Sequence, residues 1–255
     1  MWPRLSYELK LKIKDLKKIF SDFDGTLTDN GYLGRNFIDI LNWSQTREVP
    51  FTIVTGRSLS WGHFLLTHFD HVRAVISEGG GVLAWKDENG RILERVLVPE
   101  KDLLELEEAS KKLVRTFSLS LSMDSFGRKT DRAIELYELQ NLDLKRQVEE
   151  FLTEKELNFS CSNVHLNFWK GQISKMKGIS YFMESFYSEL SLENCLYFGD
   201  APNDQDVFKE LPNSVGVSNI NPFLSEINYR PRFVLEGKEN EGGSGVLNYL
   251  RQLSK

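Results

Sequence analysis
Asp22 and Asp24 stand one residue apart in the stretch IFSDFDGTLTD, residues 19 to 29, directly after an apolar dipeptide and just before a glycine. Carboxylates this close repel one another unless a cation lies between them. Magnesium answers that requirement, being a hard ion that prefers oxygen ligands and keeps positions open for water and a phosphate. A lone Asp-x-Asp is common on solvated turns, so the weight falls on the rest of the chain. Thr55-Gly56-Arg57 ends a second apolar run, FTIVT, with a hydroxyl and backbone N–H groups at the start of a helix, where anions settle. Lys175 and Lys177, in KGQISKMKG, stand just before the helical GISYFMESFYSEL. GDAPND ends a further apolar run in Asp200 and brings Asn203 and Asp204 one turn later. Acidic, hydroxyl, cationic and acidic clusters, three of them at the end of an apolar run, describe one cation-and-phosphate site drawn from four distant segments.

The elements that must position these groups follow from pattern. KKIFSDFD and PFTIVTGRS each begin as a short apolar strand that enters a polar turn, and NFIDILNWSQTRE between them has helical spacing. HVRAVISEGGG is a third strand running into glycines, while ENCLYFGDAPND and NSVGVSN supply two more. Strands alternating with helices predict an α/β fold, a doubly wound parallel sheet with its chemistry at the strands' carboxyl ends. The stretch from about Gly81 to Trp169 differs. VLAWKDENGRILERVLV predicts a hairpin around Glu88-Asn89-Gly90. KDLLELEEASKKLVRTF and LDLKRQVEEFLTEKEL predict helices, with the strand-like AIELYEL between them and SCSNVHLNFW after the second. This grouping predicts an α+β module, residues 83–169, inserted into a core formed by residues 1–82 and 170–255. EGGSGV, residues 241 to 246, reads as a loop capping a last helix, VLNYLRQL.

Composition narrows the class. The chain has 255 residues, 40% of them hydrophobic, and a formal charge of −5, which argues against a nucleic-acid or anionic-membrane partner. No apolar run approaches the ~20 residues of a spanning helix. MWPRLSYELKLKIKDLKK lacks the apolar core of a signal peptide and reads as an amphipathic or extended lead-in, so a cytoplasmic location is expected. Cys161 and Cys195 fall in segments that read as buried strands and have no metal-ligand spacing, so both are expected to be reduced and structural. The four histidines likewise lack metal spacing.

Taken together, Asp22-Phe23-Asp24-Gly25-Thr26, Thr55-Gly56-Arg57, Lys175 and Gly199-Asp200 with Asn203-Asp204 resemble, in order, the four motifs of the haloacid dehalogenase superfamily of phosphohydrolases. The insertion between the second and third motifs resembles that family's type-two cap. Its placement is similar to the branch that holds the sucrose-phosphate, trehalose-phosphate and mannosyl-3-phosphoglycerate phosphatases and the broad Cof-like sugar-phosphate phosphatases. The resemblance implies a magnesium-dependent phosphatase acting on a small phosphorylated sugar through an aspartyl-phosphate. Asp22 would be the nucleophile, Asp24 the general acid and then base, Thr55 a hydrogen-bond donor to the phosphoryl group and Lys175 its counter-charge. Asp22, Asp200 and the backbone carbonyl of Asp24 would hold Mg2+, with Asp204 completing the metal's residues and Asn203 orienting waters and substrate. A Lys-Gly pair is common in the third motif and favours Lys177, whereas the apolar register after it favours Lys175.

Candidate readers of the substrate are Gly56, Arg57, Glu78, Gly79, Arg128, Lys129 and Arg132, with a surface charge or a hinge as the plain alternative at the last five. A phosphomutase is a rival, since its superfamily members share the first motif, but the spacing of GDAPND argues against it. A non-catalytic phospho-ligand-binding protein is the other rival, and it has no need of an acid at Asp24.

Overall fold
The computed structural model describes residues 12–161 and 165–254. In chain order its elements are β1 (Lys18–Ser21), α1 (Arg35–Thr46), β2 (Phe51–Val54), α2 (Leu59–His68), β3 (Ala74–Ser77), β4 (Val82–Lys86), β5 (Ile92–Val96) and α3 (Glu100–Phe117). There follow β6 (Asp131–Glu135), α4 (Leu142–Glu154), β7 (Leu157–Cys161), β8 (His165–Lys170), α5 (Lys175–Phe186), β9 (Cys195–Gly199), α6 (Gln205–Glu210), β10 (Ser214–Gly216), β11 (Phe233–Val234) and α7 (Gly242–Leu253). The chain divides into two compact units, one of Met1–Thr55, Phe69–Val75 and Ile179–Lys255, the other of Gly56–His68 and Ile76–Gly178. The second is thus wider than residues 83–169. The lead-in read at residues 1–11 lies outside the described residues. Among those described, no helix is long and apolar enough to cross a membrane.

The first unit is built on parallel strands in the order β11-β10-β9-β1-β2. Every residue of β1, β2, β9 and β10 is buried, as expected where both faces of a parallel sheet are covered and the strands read as unbroken apolar runs. The chain steps from β1 to β2 in one direction, then returns to the other side of β1 with β9 and continues through β10 to β11. That reversal is the switch point of a doubly wound sheet, where adjacent loops part and leave a crevice at the carboxyl ends. Ser21 pairs in register with Ile53 on one side and Phe198 on the other, so the residues just past these positions emerge together at one edge. Helix α1 buries Phe37, Ile40 and Leu41, the apolar stripe its spacing predicts.

The second unit holds a three-stranded antiparallel sheet, β6-β8-β7, with Asp131 opposite Trp169 and Leu157 opposite Lys170. Leu106 and Leu113 of α3, Val148 and Leu152 of α4, and Ile134, Leu166 and Phe168 of the sheet close one core. β4 and β5 pair antiparallel as the Asn89-Gly90 turn predicts, and they are not part of this sheet. Asp87 fixes their turn by accepting from the backbone of Asn89 and Arg91 at 2.9 and 2.8 Å.

Three readings need correction. AIELYEL is strand only to Glu135, and Leu136–Leu139 coil into a 3-10 turn. Cys161 is exposed, because β7 is an edge strand whose burial fades after Leu157, whereas Cys195 is buried as expected. The glycines of EGGSGV are the first turn of α7 rather than a loop. A Cβ at Gly242 would come within 2.3 Å of the Thr28 carbonyl oxygen, and one at Gly245 within 2.2 Å of that of Asn240, so close backbone approach selects glycine there.

Lys18, at the head of β1, is buried with its ammonium 4.8 Å from the Phe182 ring centre, 4.9 Å from Tyr187 and 5.6 Å from Phe20. Burial pushes its pKa down to about 7. Because the unfolded chain binds that proton more tightly, stability must rise with pH between about 7 and the ordinary lysine value of 10.5. Lys18→Met is therefore expected to unfold at higher denaturant than the parent near pH 7, with the gap narrowing steadily as pH approaches 10; a pH-independent gap would contradict this.

Candidate active site
The first unit gathers the acidic groups. Asp22 follows β1 and its backbone N–H still donates to the Phe198 carbonyl of β9 at 2.9 Å, so the ladder itself carries Asp22 beside the end of β9. Phe23 turns down into the core, 2% exposed, and packs edge-on against Phe37 at 6.2 Å. This aromatic anchor fixes the turn and leaves Asp24 on the exposed side. Gly25 then reverses the chain at φ +79°, a conformation other residues adopt only with strain, and its N–H donates to the Thr28 hydroxyl at 2.9 Å.

Asp200 leaves the adjacent strand end and meets this turn. Its Oδ1 accepts from the buried Thr26 hydroxyl at 2.9 Å, and its Oδ2 accepts from the Asn219 side-chain amide at 2.7 Å. The same amide donates to the Gly25 carbonyl at 3.0 Å, while the Asn219 Oδ1 accepts from Gly242 N–H at the start of α7. Asp204 lies behind. Its Oδ1 accepts from the Tyr197 hydroxyl at 2.5 Å and its Oδ2 from the backbone N–H groups of Asp200 and Ala201 at 3.0 and 3.2 Å. Burial, with the negative charge of Asp204 next, holds the Tyr197 phenol protonated well above its usual range, so it remains a donor.

Asp22, Asp200 and Asp204 are 5%, 8% and 0% exposed, and one carboxylate oxygen from each lies within 4.8 Å of the others. Three buried carboxylates that close are a strong electrostatic argument for a hard cation. The donor set fits Mg2+: oxygen only, with water and phosphate left to fill the remaining positions. Both oxygens of Asp200 and both of Asp204 accept from protein donors, so each carboxylate is held in a fixed orientation. The Asp24 side chain is not in this cluster, and Asn203 is exposed outside it. Among the described residues no second group of this kind occurs. Thr55, 1% exposed, follows β2 directly, and the pairing of Ser21 with Ile53 puts it at the same sheet edge as Asp22.

The remaining candidates belong to the second unit. Lys175 opens α5 and is 3% exposed, whereas Lys177 is exposed and reaches back to Gln172 at 3.3 Å. The start of α5 lies so close to the preceding glycines that a Cβ at Gly80 would stand 1.9 Å from the Ser174 carbonyl oxygen. Glu78 is buried and its carboxylate is filled with protein donors. Gly79 follows it at φ +65°. Arg128 is buried between Asp124 and Asp131 and donates to the Gly56 carbonyl at 3.1 Å. Arg132 reaches Glu107 at 3.2 Å, and Lys129 pairs with Glu94. Each of these three cations thus has a carboxylate partner within its own unit. Arg57 stacks over the Trp61 ring at 4.9 Å. Thr26, Tyr197 and Asn219 are supports that sequence reasoning did not single out.

A family model described as haloacid dehalogenase-like hydrolase matches residues 19–155 and 124–243. The chain is 25% identical over 236 residues to a phosphoglycolate phosphatase of Methanopyrus kandleri, covering 92% of this chain and 96% of the relative. It is 23% identical over 217 residues to a phosphoglycolate phosphatase of Methanobrevibacter smithii, covering 83% and 90%. The crystal structure of Thermoplasma acidophilum 0175 superposes with a TM-score of 0.72 at 18% identity, covering 94% of this chain and 98% of the other.

Gly25→Ala would force a Cβ to within 2.2 Å of Asp200 Oδ2 at a left-handed φ. It is expected to cost about 1–2 kcal/mol in urea unfolding and to abolish the rise in melting temperature expected of the parent in millimolar MgCl2. An unaltered magnesium response would show that Asp200 does not serve the ion.

Proposed function
The chain belongs to the haloacid dehalogenase-like hydrolases, and on that premise we propose that it is a magnesium-dependent phosphatase that cleaves a phosphate monoester of a sugar or sugar conjugate through an aspartyl-phosphate on Asp22. The observation that carries this reading is the meeting of Asp22, Asp200 and Asp204 at the switch point of a parallel sheet. Asp22 Oδ attacks phosphorus in line as the ester P–O bond breaks, and Asp24 gives its proton to the departing oxygen. Asp24, now a base, takes a proton from water, whose oxygen attacks the aspartyl-phosphate and releases inorganic phosphate. The exposure of Asp24 suits a group that must trade protons with solvent and leaving group, while a cation shared by Asp22 and Asp200 would keep the buried nucleophile ionised against the cost of its burial. When bound, Mg2+ held by Asp22, Asp200 and the Asp24 carbonyl, with Asp204 behind, supplies charge neutralisation for the transferring phosphoryl group. Thr55 donates to that group and Lys175 balances its growing charge. The burial of Lys175 and the exposure of Lys177 support the first as the working lysine.

A second substrate, 2-phosphoglycolate, is favoured by the names of the two curated relatives. Phosphate release measured over 2-phosphoglycolate, sucrose, trehalose and hexose phosphates and mannosyl-3-phosphoglycerate separates the two, and interconversion of sugar phosphates without phosphate release would establish a mutase instead. Asp22→Asn is expected to lower kcat by at least about 10³-fold, and Lys175→Ala by about 10²-fold with Lys177→Ala near the parent rate. EDTA should stop turnover and MgCl2 restore it. Substantial activity in Asp22→Asn would remove the nucleophile assignment.

A further inference from the structure
We propose that Glu78 is a positioning residue that sets the phosphate-facing turn Gly56–Leu59, acting through the backbone rather than on the substrate. The inference rests on the phosphatase reading above.

Glu78 is held where a free side chain would not go. It is 2% exposed, and its φ of +55° is left-handed, uncommon for any residue but glycine. Its carboxylate Oε1 accepts from the Leu59 N–H at 3.1 Å and the Lys129 N–H at 3.0 Å. Oε2 accepts from the N–H groups of Lys129 and Thr130 at 3.0 and 2.6 Å and from the Thr130 hydroxyl at 2.7 Å. These donors fill the lone pairs of both oxygens, which leaves no acceptor for a sugar hydroxyl. The Glu78 backbone also takes part, its N–H donating to the Arg57 carbonyl at 2.9 Å.

The consequence falls on four consecutive residues. The Gly56 carbonyl accepts from Arg128, the Arg57 carbonyl from Glu78, the Ser58 hydroxyl donates to Asp124 at 2.7 Å, and the Leu59 N–H donates to Glu78. Every one of these tethers runs to Glu78 or to the 124–130 segment that Glu78 itself anchors. A Cβ built on Gly56 meets no atom within 4 Å, so packing does not demand glycine at that position. A bare backbone in an otherwise tethered turn is what close approach of an anion requires. Glu78 thus lies one hydrogen bond from the turn that follows Thr55, and a shift of the turn would be felt most in the transition state, where alignment is strictest.

The test compares Glu78→Gln with the parent in p-nitrophenyl phosphate hydrolysis. Gln keeps the size but places an N–H2 against backbone donors. The expected result is a fall in kcat of about 30-fold with KM within about threefold, and inhibition by orthovanadate, which imitates pentavalent phosphorus, weakened by a similar factor while inhibition by inorganic phosphate barely moves. A kcat within about twofold of the parent, or equal losses against vanadate and phosphate, would overturn the proposal. Thr130→Val, which removes a single donor, serves if Glu78→Gln does not fold, with the same pattern at about threefold to fivefold. Failure of the phosphatase reading shows separately, as a parent inert toward every phosphate ester. In that event vanadate-induced thermal stabilisation decides: present in the parent and lost in Glu78→Gln supports the role, and its absence from the parent or its persistence in the variant overturns it.

Discussion
The site depends on the delivery of like charges to one place by two neighbouring parallel strands. β1 and β9 are buried along their whole length and locked in register, so Asp22 and Asp200 meet because the ladder ends there, without long side chains reaching for each other. Repulsion at such a point must be managed before any ligand arrives. Thr26, Asn219, Tyr197 and the backbone of Asp200 and Ala201, which donate to Asp200 and Asp204, are neutral. Neutral dipoles stabilise each carboxylate in its charged form while adding no charge of their own, which keeps the cluster attractive to a divalent ion.

Buried ions elsewhere in the chain are handled in two other ways. Arg128 cannot shed its proton, and it sits between two carboxylates and a carbonyl. Its partner Asp131 has one oxygen, Oδ1, with no hydrogen-bond partner, and burial pushes its pKa up to about 6 despite the guanidinium. Lys18 is surrounded by ring faces, and its affinity for the proton falls instead. A guanidinium demands a built surrounding, whereas an amine adjusts its protonation to the surrounding it is given.

Much of this was legible in the chain. Fully buried parallel strands read as unbroken apolar runs, so β1, β2 and β9 stood out, as did the carboxylates at their ends. Asn89-Gly90 announced the hairpin through local chemistry alone. What stayed hidden was set by contacts between distant segments. Asn219 is one of two asparagines in VSNINP, and nothing nearby in sequence says that it touches Gly25, Asp200 and Gly242. The glycines of α7 looked like a loop because glycine is a poor helix former, and the backbone of residues 27 and 28 against which Gly242 and Gly243 pack is more than 200 positions away. Arg128, Lys129 and Arg132 looked like free cations because Asp131, Glu94 and Glu107 become partners only once the fold is formed.

Asn219 has a consequence for how the molecule is made. The hydrogen bond that steadies Asp200 spans 174 positions to Thr26, and the amide that completes it is itself braced by the first turn of the final helix. A chain emerging from the ribosome therefore exposes Asp22 and Asp24 long before the groups that restrain Asp200 exist, and the acidic cluster can take its final arrangement only after residue 242 has been made.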